Sequence, residues 1–241
     1  VSPIYIGTGS NWPATAWFDY LNLRLNGKEF HMEIMRGETS YLDKRIYNVL
    51  KKLYDIGDAE YFIQDHQDLK WKQGLPLLLR CLTGMSMLGN YAVQDFPEKI
   101  KNKIGFFKFP MLNDQSIYYE EAPLDVLIVP TKSAHKELTK LFIQFAAQSD
   151  NQQIFNKSLG VLSPHKGAQQ NNSRLVQEAY DTISNAQGIT QFFDRDSKKA
   201  YADEAMPIID AFMLNLDIIG TQKALKKVRL ELFTTQPIHQ N

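Results

Sequence analysis

A turn of small residues runs directly into an aromatic-rich helix near the start of the chain. The turn is residues 7–11 (GTGSN), and the helix pattern is residues 12–20 (WPATAWFDY). Glycine permits backbone angles that bulkier residues resist, Asn11 is a preferred helix cap, and Pro13 fits a first helical turn. The pattern places Trp12 at the mouth of the helix. An indole there can stack on the C–H face of a sugar while nearby amides and hydroxyls reach its hydroxyl groups.

The aromatic residues of this helix have a second interpretation, because most aromatic side chains in folded proteins are buried. For Trp17 and Phe18 we predict positions in the hydrophobic core. For Trp12 a core position remains the alternative to a ligand-stacking position.

Composition indicates a globular chain without a strong electrostatic preference. Lys and Arg number 27, as do Asp and Glu, so no basic surface favours nucleic acid or an anionic membrane. The 241 residues can bury a core in one large or two small domains. The longest apolar run, residues 75–93, is interrupted by Pro76 and Arg80. No uninterrupted apolar run therefore reaches the roughly 18–20 residues that a membrane helix needs. The single cysteine, Cys81, excludes an internal disulfide and does not decide the compartment.

Apolar periodicity predicts several helices. Residues 46–54 repeat at helical spacing after a capping-box pair, Ser40 and Asp43, and residues 138–145 do so after Ser133. A short helix follows with Asp150 and Gln153 as its cap, and another runs from residue 221 to 232. Pro207 should start or kink the preceding helix.

Strand patterns are fewer. Residues 103–109 (KIGFFKF) and 125–130 (DVLIVP) predict short buried strands. An apolar helix rich in Leu and Met, which contains Cys81, is predicted before Gly89, with Gly89 as its C-cap and Asn90 in the exposed turn.

Five blocks of the chain, in order, resemble the extracellular sugar-binding proteins of bacterial ABC importers, the class that includes maltose-binding protein. The blocks are residues 11–27 (NWPATAWFDYLNLRLNG), 36–43 (RGETSYLD), 88–91 (LGNY), 121–125 (EAPLD) and 191–196 (QFFDRD). The resemblance covers essentially the whole chain but begins in the middle of the family pattern. We therefore expect a C-terminal fragment of such a protein.

The resemblance implies an α/β fold: a helix-rich, periplasmic-binding-protein-like C-terminal lobe with a partial segment of the N-terminal lobe. It assigns residues 1–125 to the first part of the C-terminal lobe, 126–165 to a return segment of the N-terminal lobe, and 166–241 to the second part of the C-terminal lobe. Residues 122–125 would be a crossover hinge. Without the resemblance, an ordinary turn before a strand is the preferred interpretation.

The resemblance also implies ligand-binding residues. Tyr91 would present a second ring to the sugar, although a tyrosine packed at a helix end is the alternative. Asn90, in the same turn, is a further candidate ligand residue. Trp71 matches a family tryptophan and is equally consistent with the core.

Charged groups form a second set of candidates. Arg195 between Asp194 and Asp196 could donate paired hydrogen bonds to vicinal hydroxyls, or Asp196 could cap the following helix. Glu121 and Asp125 could accept hydroxyl protons from a sugar. Departures from the family pattern, Cys81 for glycine and Leu127 for a polar residue among them, leave the identity of the ligand open.

Other classes of function remain open at this point. A glycosidase would need two carboxyls about 5–9.5 Å apart, which Glu120, Glu121, Asp125 or Asp194 could supply. A sensory or scaffold protein could use the same lobes. No phosphate loop, serine elbow or reactive-cysteine motif is present. The five histidines lack metal spacing and are each expected to be exposed or hydrogen-bonded, namely His31, His66, His135, His165 and His239.

The favoured function is a carbohydrate-binding subunit that captures a sugar between two lobes and delivers it to a permease, without covalent chemistry. The expected partners are a mono- or oligosaccharide and ABC permease subunits, with no nucleic acid, metal or cofactor. By resemblance the location is periplasmic, or extracellular and associated with the membrane through the transporter. An uncovered sheet face around residues 126–165 also predicts that the fragment covers it by self-association or segment exchange, or else that this segment is mobile.

Overall fold

The computed structural model describes residues 2–112, 118–168 and 173–233. Helices dominate this part of the chain and the strands are short, as expected for the helix-rich α/β class. In chain order the elements are β1 (Ser2–Tyr5), α1 (Trp12–Met35), α2 (Lys44–Asp58), α3 (Gly74–Leu79), β2 (Thr83–Ser86), α4 (Glu98–Lys101), β3 (Glu120–Glu121), α5 (Lys136–Ala146), α6 (Ser149–Leu159), α7 (Arg174–Ser184), β4 (Ile189–Thr190), α8 (Phe193–Asp196), α9 (Lys199–Asn215) and α10 (Ile218–Phe233). Short 3₁₀ turns cover His66–Asp68, Trp71–Gln73 and Asn90–Asp95.

The chain divides into two compact units. Unit 1 comprises Val1–Met87, Phe109–Pro123 and Ala186–Asn241, and unit 2 comprises Leu88–Lys108 and Leu124–Asn185. The chain therefore passes between the units several times. The assignment of residues 1–125, 126–165 and 166–241 to lobes stays a prediction.

Unit 1 is built around a helical core. Helix α1 packs against α2 and α9, and α10 packs against both α9 and α2. Fully buried side chains from these helices form the core, among them Phe18, Ile46, Leu50, Ile209 and Leu225. Burial of each such side chain stabilises the fold by about 1.5–3 kcal/mol. Trp17 and Phe18 lie in this core, as predicted.

Two pairs of parallel strands complete unit 1. β1 pairs with β2, with Ser2 opposite Thr83, and β3 pairs with β4, with Glu120 opposite Ile189. Each pair joins segments that are distant in sequence.

Helix α1 is interrupted at one residue. Gly27 has φ of 80° and ψ of 178°, which is outside the helical region and in a range that favours glycine. The break separates the N-terminal part of α1, which carries Trp12 and Asp19, from the part that carries His31. This geometry explains why a glycine stands inside an otherwise continuous helix.

The predicted helices are present, with some differences at their ends. α2 is capped by Asp43, which accepts a hydrogen bond from the backbone N–H of Arg45, rather than by Ser40. α5, α6 and α10 follow the predicted periodicity, but α6 begins after Gln148 and has no side-chain cap. Pro207 neither starts nor ends a helix, since it lies inside α9.

Both predicted strands are wrong. Residues 103–109 and 125–130 have no strand assignment, and several of their apolar side chains are exposed, including Phe107 at 62% and Val126 at 75%. A strand needs a hydrogen-bonded neighbour, and no strand of the described ranges pairs with either segment.

The helix predicted before Gly89 is also different. It ends at Leu79, and β2 follows because this segment pairs with β1. Gly89 therefore follows a strand and precedes a 3₁₀ turn. Cys81 is exposed, with a left-handed φ of 55°, and does not lie in a helix.

Unit 2 has a small core and a large apolar surface. Helix α7 packs against the 3₁₀ turn Asn90–Asp95, and Ala92, Leu175 and Val176 are buried there. By contrast, eleven apolar side chains of residues 124–159 are about half exposed or more, namely Leu124, Val126, Leu127, Ile128, Leu138, Leu141, Phe142, Phe145, Ile154, Phe155 and Leu159. We call this set the exposed apolar face. Among the described helices, none is long and apolar enough to span a lipid bilayer.

Candidate functional site

Three half-buried aromatic rings meet on unit 1. The Trp12 ring lies 6.3 Å from the Trp71 ring, centroid to centroid, in an edge-on arrangement with an interplanar angle of 65°. It lies 6.4 Å from the Phe192 ring, with planes 21° apart. We call these residues the aromatic trio. Rings that keep part of their surface in water can stack on the apolar face of a sugar.

The turn before α1 positions Trp12 by packing against the backbone near Trp71. The N–H of Thr8 donates to the carbonyl of His66, and that of Gly9 donates to Leu69, both at 3.0 Å. Ser10 Oγ accepts a hydrogen bond from the N–H of Trp71 at 3.2 Å. These contacts hold the turn before Trp12 against the backbone that leads into Trp71.

The glycines of this turn serve close approach rather than unusual backbone angles. A Cβ on Gly7 would lie 2.7 Å from the carbonyl carbon of Lys70, and one on Gly9 would lie 2.7 Å from the carbonyl oxygen of Gln67. Neither glycine has a positive φ. The expected cap at Asn11 is absent, because Asn11 has φ of 63° and its side chain makes no capping hydrogen bond. Pro13 lies in the first helical turn, as predicted.

The segment at α8 supplies the third ring. Phe193 is buried in the core and its N–H donates to Asp19 Oδ2 at 3.1 Å, which places Phe192 at the surface beside Trp12. Asp196 Oδ2 accepts the N–H of Gln191 at 2.8 Å. Asp196 does not cap the following helix, because the residue before α9 is Lys198.

Asp194 and Arg195 are exposed on the same short helix as the buried Phe193. We predict that Arg195→Lys weakens sugar binding even though the charge is kept, because an ammonium group cannot donate the paired hydrogen bonds of a guanidinium. The melting temperature should stay close to that of the wild type. Calorimetric titration together with thermal unfolding measures both quantities. A lower melting temperature with normal affinity would show that Arg195 has a structural role only.

Arg24 of α1 connects this helix to the segment Phe109–Pro123, which contains β3. Its Nη2 lies 2.5 Å from Glu120 Oε1 in a buried ion pair, its Nε donates to the carbonyl of Phe109 at 3.2 Å, and its Nη1 donates to the carbonyl of Tyr119. Tyr20 Oη donates to Glu120 Oε2 at 3.0 Å, and burial raises the pKa of Tyr20 well above its usual value. The structure thus places both Glu120 and Glu121 inside unit 1.

Three of the predicted ligand residues lie in unit 2. Asn90 and Tyr91 stand in the 3₁₀ turn and are half-buried, and Asp125 is exposed. The Tyr91 ring covers Gly89, where a Cβ would lie 2.3 Å from the ring. A cavity of about 440 Å³ in this unit has no aromatic ring in its lining, which includes Gln94, Lys101 and Arg174.

Of the predicted ligand residues, the structure groups Trp12, Asp194 and Arg195 on unit 1 and leaves Asn90, Tyr91 and Asp125 on unit 2. Glu121 is only 7% exposed. Sequence reasoning missed Phe192, although it stands in the 191–196 block, and left Trp71 undecided. The hydrogen bond from Trp71 N–H to Ser10 shows why it belongs with Trp12.

No group of His, Cys, Asp and Glu within the described ranges has the arrangement of a metal site. His66 is hydrogen-bonded to Thr8 Oγ1 at 2.9 Å, as expected for a satisfied histidine. His31 differs from the expectation, since it is fully buried and neither ring nitrogen has a hydrogen-bond partner. His239 lies outside the described residues.

Known proteins similar to this chain share its fold. A bacterial solute receptor, AcbH, whose structure shows a preference for β-D-galactopyranose, superposes with a TM-score of 0.83 at 23% identity, over 97% of this chain and 61% of AcbH. A chitin oligosaccharide binding protein superposes with a TM-score of 0.78 at 15% identity, over 97% of this chain and 60% of that protein. The chain thus spans about three fifths of the length of these structures.

Sequence comparison agrees with the structural one. An uncharacterized ABC transporter extracellular-binding protein of Pyrococcus horikoshii is 26% identical over 169 residues, which are 70% of this chain and 37% of that protein. The sequence profile of the bacterial extracellular solute-binding proteins matches residues 2–153, more than half of the chain. The chain therefore belongs to the family of bacterial extracellular solute-binding proteins.

Proposed function

We propose that this protein is the carbohydrate-binding subunit of an ABC importer and captures a neutral mono- or oligosaccharide. The observation that carries the proposal is the aromatic trio. Trp12, Trp71 and Phe192 are held rigidly by backbone contacts yet keep part of their ring surface exposed. Rigid aromatic rings lose little conformational entropy when a sugar stacks on them.

A pyranose presents an apolar C–H face and a rim of hydroxyl groups, and the residues around Trp12 suit both. The nearly parallel Trp12 and Phe192 planes would contact the apolar C–H face, while the edge-on Trp71 would border the ring. Asp194 and Arg195, exposed near Phe192, would bond the hydroxyls. In the mechanism implied by the family resemblance, two lobes close around the ligand, and ligand affinity for the closed form shifts the equilibrium toward it.

We propose no covalent chemistry. A glycosidase needs two carboxyls that flank a bound glycosidic bond. Glu120 is buried in the Arg24 ion pair and Glu121 is buried beside it. Neither carboxyl is available to a ligand on the surface of unit 1, which favours binding over catalysis.

The relatives support the class of ligand and partner. The similar structures are those of proteins that bind a galactopyranose and chitin oligosaccharides, and the Pyrococcus protein is named for an ABC transporter. We therefore infer that permease subunits receive the loaded protein. A periplasmic location, or an extracellular one at the membrane beside the transporter, follows from the same inference.

Calorimetric titration with galactose and with chitin-derived oligosaccharides tests the proposal. The protein should be used as its natural gene encodes it. We expect saturable binding of at least one neutral sugar, and unchanged sugar after long incubation by chromatography. Release of a shorter sugar would contradict the binding function in favour of a glycosidase. Absence of binding across these sugars would contradict the proposed ligand class.

The exposed apolar face gives a separate prediction about residues 1–241 expressed alone. Apolar patches of this size rarely stay in water, so we expect the chain to self-associate. Light scattering after size-exclusion chromatography measures the mass. Phe142→Lys combined with Phe155→Lys should shift the population toward the monomer. Leu214→Lys, which changes an exposed leucine of unit 1, should not. A chain that stays monomeric at all concentrations would contradict this prediction.

A further inference from the structure

Four titratable side chains meet inside unit 1 and take no part in the proposed sugar site. They are Asp19 and His31 of α1, Asp196 of α8, and Glu121 of β3, whose carboxyl lies against that of Asp19. We call them the acid–histidine cluster. Asp19 is 1% exposed, His31 is 0% exposed and Glu121 is 7% exposed. The side chain of Asp196 is 12% exposed. Water therefore has little access to the four groups.

The imidazole of His31 lies between two carboxylates. Its Nδ1 is 3.9 Å from Asp19 Oδ1, and its Nε2 is 3.8 Å from Asp196 Oδ2. Both distances are longer than a hydrogen bond. The aspartates are held from the other side, because Asp19 Oδ2 accepts the N–H of Phe193 and Asp196 Oδ2 accepts that of Gln191. The cluster is thus fixed in place by the backbone of α8 and the segment before it.

Several polar atoms in and beside the cluster are buried without a hydrogen-bond partner. They include Asp19 Oδ1, both ring nitrogens of His31 and both carboxyl oxygens of Glu121. Thr190 Oγ1 is a further one, and Thr190 pairs with Glu121 between β3 and β4. Buried polar atoms are almost always hydrogen-bonded in native proteins. A protonated carboxyl within the cluster would supply a hydrogen-bond donor to these oxygens.

The charges also favour a proton in the cluster. Three carboxylates in a space closed to water would repel each other if every acid were ionised. Burial, as the largest effect, raises the pKa of Asp19 to about 7, against the opposing effect of His31. Burial and then the charge of Asp19 raise the pKa of Glu121.

The remaining charged or titratable groups near the cluster do not supply a compensating cation at its centre. Glu120, on the same strand, is already paired with Arg24. The positive charge of Lys28 lowers the pKa of Asp196. Tyr20 lies near Glu121, and Tyr41 lies near Asp19. Both tyrosines have raised pKa values and stay neutral near pH 7. Within the described ranges, the four groups also lack the geometry of a metal site.

We propose that the acid–histidine cluster is a proton-binding site, in which a proton shared by Asp19 and Glu121 fastens β3 to α1. The consequence for the chain follows from where Glu121 stands. It lies two residues before Pro123, the last residue of its segment of unit 1. Loss of the proton leaves two carboxylates facing each other, and their repulsion weakens the hydrogen bonds of β3 to β4 beside the crossover.

The proton makes stability depend on pH in a defined direction. Between the ordinary pKa of an aspartate, about 4, and the raised value, the folded state binds more protons than the unfolded state. Stability is therefore greatest at low pH within this window and falls as pH rises from about 5 to 8. For each proton that the folded state binds in excess of the unfolded state, the equilibrium constant for unfolding rises about tenfold per pH unit.

Urea unfolding from pH 5 to 8 tests the proton, and the comparison should be made in an Asp210→Asn background. Asp210 of α9 is another acid whose pKa burial raises to about 7, so its removal takes away a second contribution of the same sign. Burial lowers the pKa of His66, which contributes with the opposite sign in every variant. We expect the pH dependence to persist in Asp210→Asn and to be lost when Asp19→Asn and Glu121→Gln are added. If the dependence disappears in Asp210→Asn alone, the cluster binds no proton and the proposal is wrong.

Hydrogen exchange of the wild type gives a second test that needs no variant. The N–H of Glu120 donates to Gly188 and that of Ala122 donates to Thr190, at 3.2 Å and 2.9 Å. We expect the protection factors of these two amides to fall as pH rises from 5 to 8. The amide of Ile4 in β1, which donates to Tyr61 at 3.0 Å, should be unaffected and serves as the control. Protection of β3 that is independent of pH would overturn the proposal.

Discussion

Replacing Arg24 with methionine should lower the free energy of unfolding of unit 1 by about 3–5 kcal/mol. The side chain of Arg24 is 0% exposed and that of Glu120 is 5% exposed, so the change leaves a buried carboxylate without its cation. It also removes the hydrogen bonds to the carbonyls of Phe109 and Tyr119. These carbonyls belong to the segment Phe109–Pro123, so the loss should loosen the attachment of this segment to α1.

Urea unfolding monitored by circular dichroism measures the effect. Lys199→Met is the matched control, because it breaks an exposed ion pair with Asp203 in the same unit and should change stability little. Adding Glu120→Leu to Arg24→Met should recover part of the loss, since it removes the uncompensated buried charge. Equal stability of Arg24→Met and the wild type would show that the Arg24 contacts do not hold the segment.

Trp12→Ala should weaken sugar binding by about 1–3 kcal/mol, which is roughly 5- to 150-fold in Kd. Trp12 contacts both other rings of the aromatic trio, so its removal takes away the ring that stacks beside Phe192 and that Trp71 borders. The protein should remain folded, because Trp12 is only half-buried and lies outside the core of unit 1.

Calorimetric titration of the variant with the sugar that binds the wild type measures the change. Tyr61→Ala is the control, since Tyr61 is a 49% exposed aromatic residue of unit 1 outside the aromatic trio. It should bind with wild-type affinity. Unchanged affinity in Trp12→Ala would remove Trp12 from the site, whereas equal losses in both variants would indicate a general effect on folding.

The helices could be predicted from the sequence because their apolar spacing reports a local property. α2 is the clearest case, with Ile46, Val49, Leu50 and Leu53 buried at the predicted spacing. The strands could not, because pairing depends on a distant partner. β2 forms opposite β1 from a segment that reads as helix, and residues 125–130, which read as a buried strand, are exposed.

The candidate site shows the same division. The turn and helix around residues 7–20 predict where Trp12 lies, because both signals are local. The neighbours of Trp12 come from Trp71 and Phe192, which only tertiary contacts bring together. Likewise, the position of His31 between two carboxylates depends on packing of α1 against α8, and a lone histidine in a sequence carries no sign of it.

The most direct test of sugar binding by the aromatic trio is a two-dimensional ¹H–¹⁵N NMR titration of the indole N–H groups. The chain has three tryptophans, so the three signals of Trp12, Trp17 and Trp71 can be assigned from single substitutions. On addition of a sugar that calorimetry shows to bind, we predict saturable shifts of the Trp12 and Trp71 signals. The signal of Trp17, which is buried in the core, should stay in place. Saturated binding with unshifted Trp12 and Trp71 signals would contradict the account.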